Sequence, residues 1–208
     1  MKTERGTAIE ALAEATAEAA YNNLCLKRTL SRSDMSAAQK AFVTELVNGS
    51  LRNLIYLDHC IGRVSKTPIK KMRPFILNTL RISAYQILFL DRTPNSAACN
   101  EAVKLVKARG YGSLSGFVNG VLRAVAREGF IDAPLAVRYS YPEWLINHFT
   151  DELGLDATAR VCELNAAAPD VSAAVNTLRA DADALCAMLE TEGMTVRRSE
   201  LFDDVIHL

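Results

Sequence analysis

Ile9, Leu12, Ala13, Ala17, Ala20 and Leu24 follow one another at helical spacing, so residues 3–26 are expected to form a helix. The polar string SRSDMSAAQ (31–39) breaks it. Within that string Ser36 and Gln39 have the spacing of a capping box, which opens the next helix. This helix runs through VNGSLR (47–52), because Val43, Val47, Leu51 and Leu54 keep the helical period across Asn48 and Gly49. A near copy, VNGVLR (118–123), lies on a second helical face made by Phe117, Val118, Val121, Leu122 and Val125. Asn-Gly is common in hairpin turns, but a hairpin needs alternating flanks, and neither copy has them. A glycine inside a helix costs about 1 kcal/mol against alanine. Close approach of a second helix is the simplest compensation, so Gly49 and Gly120 are both expected at tight helix contacts. The repeat has two readings, chance or a pair of similar helical subdomains, and six residues do not choose between them.

Pro74 is expected to open the central helix, since proline suits a first turn. Beyond it Phe75, Ile76, Leu80, Ile82, Ala84, Ile87, Leu88 and Leu90 are apolar nearly all round, the pattern of a buried helix. NSAACNEAVKLVKARG (95–110) follows, with Asn95 or Ser96 as cap and Gly110 as stop. Its Glu101 comes early and Lys104, Lys107 and Arg109 late, an order that suits the helix dipole. The helix holding the second VNG copy stops at Gly129. Residues 1–129 therefore predict an all-α bundle of six or seven helices. After residue 129 the pattern changes. YSYPEWLINHFTDELG (139–154) reads as a helix with Ser140 and Glu143 as a capping box, and Asp156 can cap ATARVCELNAA (157–167). Residues 170–178, MTVRRSEL and DDVIHL are expected strands, and 181–193 is a helix with an Asp cap and a Gly stop. The fold class is mainly α: a helical domain over 1–129, then the start of a small α+β domain over 130–208. Because Leu208 falls inside an expected strand, the chain is expected to be a piece of a longer protein.

Composition agrees with a helix-rich globular chain, half hydrophobic with few Gly and Pro. Charge adds more. The net charge is zero, yet residues 1–127 carry 19 Lys/Arg against 9 Asp/Glu, and residues 128–208 carry 5 against 15. A step this sharp marks a domain boundary and suggests that the first part meets a polyanion. Arg63, Lys66, Lys70, Lys71 and Arg73 crowd into one short stretch, Arg28 and Arg32 flank the first loop, and Lys104, Lys107 and Arg109 end a helix. Cations that converge in this way neutralise phosphates and release counterions. An ordinary solvated surface is the plainer reading of the same pattern. Between residues 59 and 127 only Asp91 and Glu101 are acidic, which favours nucleic acid. With no recognition helix or zinc finger in view, RNA is preferred to DNA.

Other chemistry is not signalled. Cys25, Cys60, Cys99, Cys162 and Cys186 form no CxxC and no metal-site spacing, which suits reduced thiols in a cytoplasmic protein. Each lies in an apolar, helix-like context and reads as packing rather than as a nucleophile. His59, His148 and His207 are far apart, and no GxGxxG or GxxxxGK[ST] occurs. No catalytic residue, metal ligand or cofactor site is expected in these residues. No 18-residue apolar run predicts a membrane span, and the N-terminus is too polar for a secretory signal.

The stretch LRISAYQILFLDRTPNSAACNEAVKLVKARGYGSLSGFVNGVLRAV (80–125) resembles the NusB family, most specifically through Asn100–Val103 and Phe117–Leu122. The likeness covers roughly residues 5–127 and implies an all-α bundle of two helical subdomains, one VNG copy in each. Tyr139–Leu145 resembles the segment that follows the NusB-like domain in RsmB/Sun-type 16S rRNA (cytosine-5) methyltransferases. There a small α+β region comes next, then an S-adenosylmethionine-binding Rossmann-like domain. AAAPDVSAAVNTLRAD (166–181) occupies the place of that family's Pro-x-x-x-Arg-x-Asn strand, with the order altered at Asn176–Arg179. The family's two cysteines and its cofactor-contacting acids have no counterpart here. The resemblance thus implies a non-catalytic N-terminal part that binds 16S rRNA for a catalytic domain lying elsewhere, with S-adenosylmethionine as that domain's cofactor. A NusB-like antitermination factor, working with RNA and a ribosomal protein, is the second reading. A helical protein-interaction domain without an RNA role is the third.

Overall fold

In chain order the first 129 residues of the computed structural model form α1 (Glu4–Ala17), α2 (Asn22–Ser31), α3 (Ala37–Arg52), α4 (Leu54–Val64), α5 (Pro74–Phe89), α6 (Asn95–Ala108) and α7 (Ser115–Glu128). Short 3₁₀ turns at Ile69–Lys71 and Gly112–Leu114 precede α5 and α7. The remainder forms α8 (Leu135–Arg138), α9 (Glu143–Leu153), α10 (Leu155–Ala166), β1 (Ser172–Ala174), α11 (Ala182–Thr191), β2 (Arg197–Arg198) and β3 (Val205–His207). Residues 3–17, 22–91, 93–167 and 171–208 are described. The chain divides into two units, residues 1–159 and 160–208.

In the first unit α5 is the axis. Pro74 stands at its start, and the unbroken run Asn78–Gln86 is buried along with Ile76 and Leu88. It packs against α1, α3, α4, α6 and α7. The core joins Ile9, Leu12, Leu46, Leu57, Ile61, Leu80, Ile82 and Leu122 from five of the helices. A helix buried all round must also bury its polar side chains with partners. Arg81 is only 9 % exposed, and its guanidinium makes a bidentate pair with Asp58 of α4, 2.7 and 2.6 Å, plus a bond to Asn78. Gln86 accepts from the Arg5 guanidinium at 2.8 Å and donates to the Ile82 carbonyl.

Several expectations are corrected. Residues 3–26 do not form one straight helix: Arg28 of α2 reaches Glu14 of α1 at 3.7 Å, so the two described segments lie side by side, and Ala20 lies outside the described residues. The capping box at Ser36 and Gln39 is present. The helix it opens ends at Arg52, so Leu54 belongs to α4, and Asn53 breaks the two with φ −109° and ψ 20°. Asn53 terminates α3 because both its N–H and its side-chain amide donate to the Gly49 carbonyl. Neither Asn95 nor Ser96 caps α6. The cap position is Pro94, whose fixed φ suits a helix entry. Ser140 and Glu143 form no capping box, since Pro142 precedes α9. Ser140 instead closes α8 in the left-handed region, φ 56°, and its hydroxyl accepts the Tyr56 N–H. Asp156 lies within the first turn of α10 and does not cap it.

Both VNG copies are helical, but only one glycine is at a tight contact. A Cβ on Gly49 would overlap the Tyr85 ring, whereas a Cβ on Gly120 would meet nothing within 4 Å. The expected close packing at Gly120 is therefore wrong, because that face of α7 looks into open space.

In the second unit β3 is central, with β1 and β2 antiparallel to it on either side. The expected strand at 170–178 is confined to Ser172–Ala174, and Asp170 lies outside the described residues. Asp181 caps α11 by accepting from the Asp183 and Ala184 amides, and Gly193 follows with φ 86°. Alternation places Ile206 on the covered face with Val175, Ala182 and Leu185. Arg198 fastens this small core by donating to Asp183 and to the Asp203 carbonyl.

Candidate nucleic-acid interface

Arg63 is in the last turn of α4, and Lys66 follows it. The connection to α5 is ordered rather than irregular. The Ser65 hydroxyl donates to the Thr67 carbonyl and accepts its N–H, and the 3₁₀ turn follows. Ile69 and Met72 pack on the core, which leaves Lys70, Lys71 and Arg73 exposed. Among the described residues no carboxylate pairs with any of these five cations. Arg73 occupies the cap position of α5 without capping it, so the positive end of the helix dipole adds to the local potential.

The end of α6 comes to the same place. Gly110, at φ +84°, reverses the chain so that the Tyr111 N–H returns to the Val106 carbonyl at 2.9 Å. Tyr111 then lies against Phe75 of the first turn of α5, ring centroids 5.8 Å apart and tilted by 30°. The Arg73 guanidinium sits over Tyr111 at 5.3 Å, and that of Arg109 over Phe75 at 5.5 Å. Each such contact stabilises by about 0.5–1 kcal/mol at an exposed site. Two basic groups far apart in sequence are thereby interleaved with two aromatic rings.

Helix α1 extends the arrangement. Arg109 pairs with Glu10 at 3.3 Å, and Arg28 of α2 pairs with Glu14 at 3.7 Å. Glu10 and Glu14 are one turn apart on one helix face, so α1 bridges Arg28 to Arg109. Lys104 is tied to Glu101 at 2.8 Å, and Lys107 is exposed beside it on α6. Arg32 is exposed beyond α2, and no contact joins it to the cluster. Of the ten expected residues, contacts thus link Arg28, Arg73 and Arg109, with Lys70 and Lys71 just ahead of Arg73. The sequence reading missed Tyr111 altogether and took Phe75 for plain core. The available signal was an aromatic residue directly after a helix-stopping glycine.

Burial raises the thiols of Cys60, Cys99 and Cys162 above the ordinary value, which keeps them protonated and inert. The side chain of Cys25 lies outside the described residues. No set of three His, Cys, Asp or Glu among the described residues has metal-site geometry. Among them, no helix is long and apolar enough to cross a membrane.

Comparison with known proteins agrees with this architecture. Residues 2–127 match the NusB family, and residues 141–208 match the ferredoxin-like domain of RsmF/B-like methyltransferases. The chain is 35% identical to the probable ribosomal RNA small subunit methyltransferase B of Bacillus subtilis, over 98% of this chain and 47% of that protein. It is 30% identical to the transcription antitermination protein NusB of Desulforudis audaxviator, over 61% of this chain and 93% of that protein. The structure of NusB from T. maritima superposes with a TM-score of 0.56 at 25% identity, covering 62% of this chain and 94% of that one. The chain spans about half the length of the methyltransferase relative it matches.

Proposed function

From the premise that the chain belongs to the NusB family, we propose that its helical bundle binds ribosomal RNA and positions it for methyl transfer. The reaction in view is transfer from S-adenosylmethionine to a cytosine of 16S rRNA, in the cytoplasm, by chemistry that none of these residues performs. Residues 1–129 carry the RNA contacts in this proposal, and 130–208 lead towards the catalytic part. The observation that carries it is the unpaired basic segment Arg63–Arg73 meeting the basic end of α6. An exposed cation without a carboxylate partner is free to take a phosphate, and several together release counterions.

The antitermination reading, with RNA and a ribosomal protein as partners, has the Desulforudis NusB in its favour. The match of residues 141–208 to a methyltransferase-associated domain favours the first.

The test is titration of the chain with 16S rRNA fragments over a range of salt. Replacing Lys70, Lys71 and Arg73 together by alanine should weaken binding and flatten the slope of log affinity against log salt by about 2 for a single strand. Sequence preference should hardly change, because phosphate contacts position without specifying. Unchanged affinity with unchanged slope would overturn the assignment of this face.

A further inference from the structure

We propose that Arg73, Phe75, Arg109 and Tyr111 form a stacking site for one unpaired base of a single-stranded RNA segment. This rests on the RNA-binding reading above and goes beyond it by naming the form of RNA that the site takes. Four residues from three places converge: the cap position of α5, its first turn, and the end of α6 with the residue after its glycine stop. Phe75 and Tyr111 are half-buried against the core, so their rings are held in place, while both guanidinium groups are exposed. Each guanidinium thus has an aromatic ring on one side and solvent on the other. Planar groups fixed in this way stack on the flat face of a base, and any base will serve. In a duplex those faces are covered by neighbouring pairs, so only an unpaired base can enter. Lys70 and Lys71, exposed in the 3₁₀ turn just ahead of Arg73, supply phosphate contacts beside the stacked nucleotide. Arg109 shares its charge with Glu10, whereas Arg73 has no carboxylate partner among the described residues. Arg73 is therefore the principal guanidinium of the site.

The experiment uses the full chain with three probes: a short single-stranded rRNA segment, the same segment with one abasic position moved along it, and the segment annealed to its complement. The single strand should bind more tightly than the duplex. One abasic position should weaken it by about 5-fold or more, and Tyr111→Leu should weaken it by a similar factor. The two changes together should lose little more than either alone. Neither Tyr111→Leu nor Arg73→Lys should alter the salt slope, because no charge is removed, yet both should lower single-strand affinity. Tyr111→Phe should retain it. Arg73→Lys lies on the surface and tests the site without touching the core; melting curves check that Tyr111→Leu is folded. If Tyr111→Leu and Arg73→Lys both bind the single strand as the parent does, the stacking site is overturned. The RNA-binding reading then still stands, provided the triple alanine variant flattens the slope. If neither single strand nor duplex binds the parent chain, both fall together.

Discussion

The two VNG segments share five of six residues and the same helical phase, and they do opposite things. In the first, Gly49 is buried, and the Tyr85 ring fills the space where a side chain would be. Tyr85 in turn donates to Glu45 and stacks on Phe89, at 5.3 Å between centroids. The Gly49 carbonyl also takes both bonds from Asn53, so this copy ends its helix. In the second, Gly120 is exposed in the middle of α7, which runs on to Glu128. Nearly identical local sequence therefore yields a packing device in one place and a plain helix interior in the other. The difference lies in what stands opposite, a tyrosine of α5 or solvent.

Gly49→Ala breaks the comparison hardest. The added methyl must displace Tyr85, and stability should fall by about 3 kcal/mol, the upper part of the usual range for overpacking. Urea unfolding measures it, and Tyr85→Leu in the same chain should recover part of the loss. A Gly49→Ala chain as stable as the parent would show that the ring is not held where it is seen.

Tyr85→Phe keeps the ring and removes the hydroxyl. At neutral pH the cost should be about 1–2 kcal/mol, for one hydrogen bond to a carboxylate. Burial, and then the bond to Glu45, hold the Tyr85 phenol above its ordinary value. A group raised in the folded state contributes fully below its unfolded value of about 10 and loses that contribution as pH rises beyond it. Stability of the parent should therefore decline above about pH 10, and the decline should be shallower in Tyr85→Phe when both are unfolded at a series of alkaline pH values.

Gly120→Ala should act in the other direction from Gly49→Ala, stabilising the chain by up to about 1 kcal/mol through helix propensity. A rise in thermal midpoint is the expected result, and a fall would mean that something packs on α7 there. Asn53→Ala should have the smallest effect, a loss of about 0.5–1 kcal/mol, because the backbone N–H still reaches Gly49 when the side-chain amide is gone. The residue after the second copy is already alanine, Ala124, and α7 runs on through it.

The helices themselves were legible because their signals are local. Ser36 with Gln39, Pro74, Gly110, Gly129 and Asp181 with Gly193 act through backbone geometry within a few residues, and each stands where the pattern predicts. Ser140 misled because its hydroxyl serves Tyr56, a residue far away in sequence, instead of its own helix. The candidate site was half legible. Lysines and arginines are countable, so the basic segments could be named. Which of them a carboxylate would hold, as Glu10 holds Arg109 and Glu14 holds Arg28, depends on α1 lying alongside, and no spacing reveals that.

By itself the sequence determined the helical period, the glycine stops, the caps at Ser36 and Asp181, the burial of α5 and the sharp change of charge near residue 129. All of these follow from neighbours along the chain or from composition. Only the tertiary structure decided that Gly49 must be glycine while Gly120 need not be, that Arg81 is consumed by Asp58, and that Arg73 and Arg109 meet across Phe75 and Tyr111. Those outcomes depend on which side chain arrives from another helix. Contact energies act through space over a few ångströms, and the order of residues constrains that distance only after the bundle has closed.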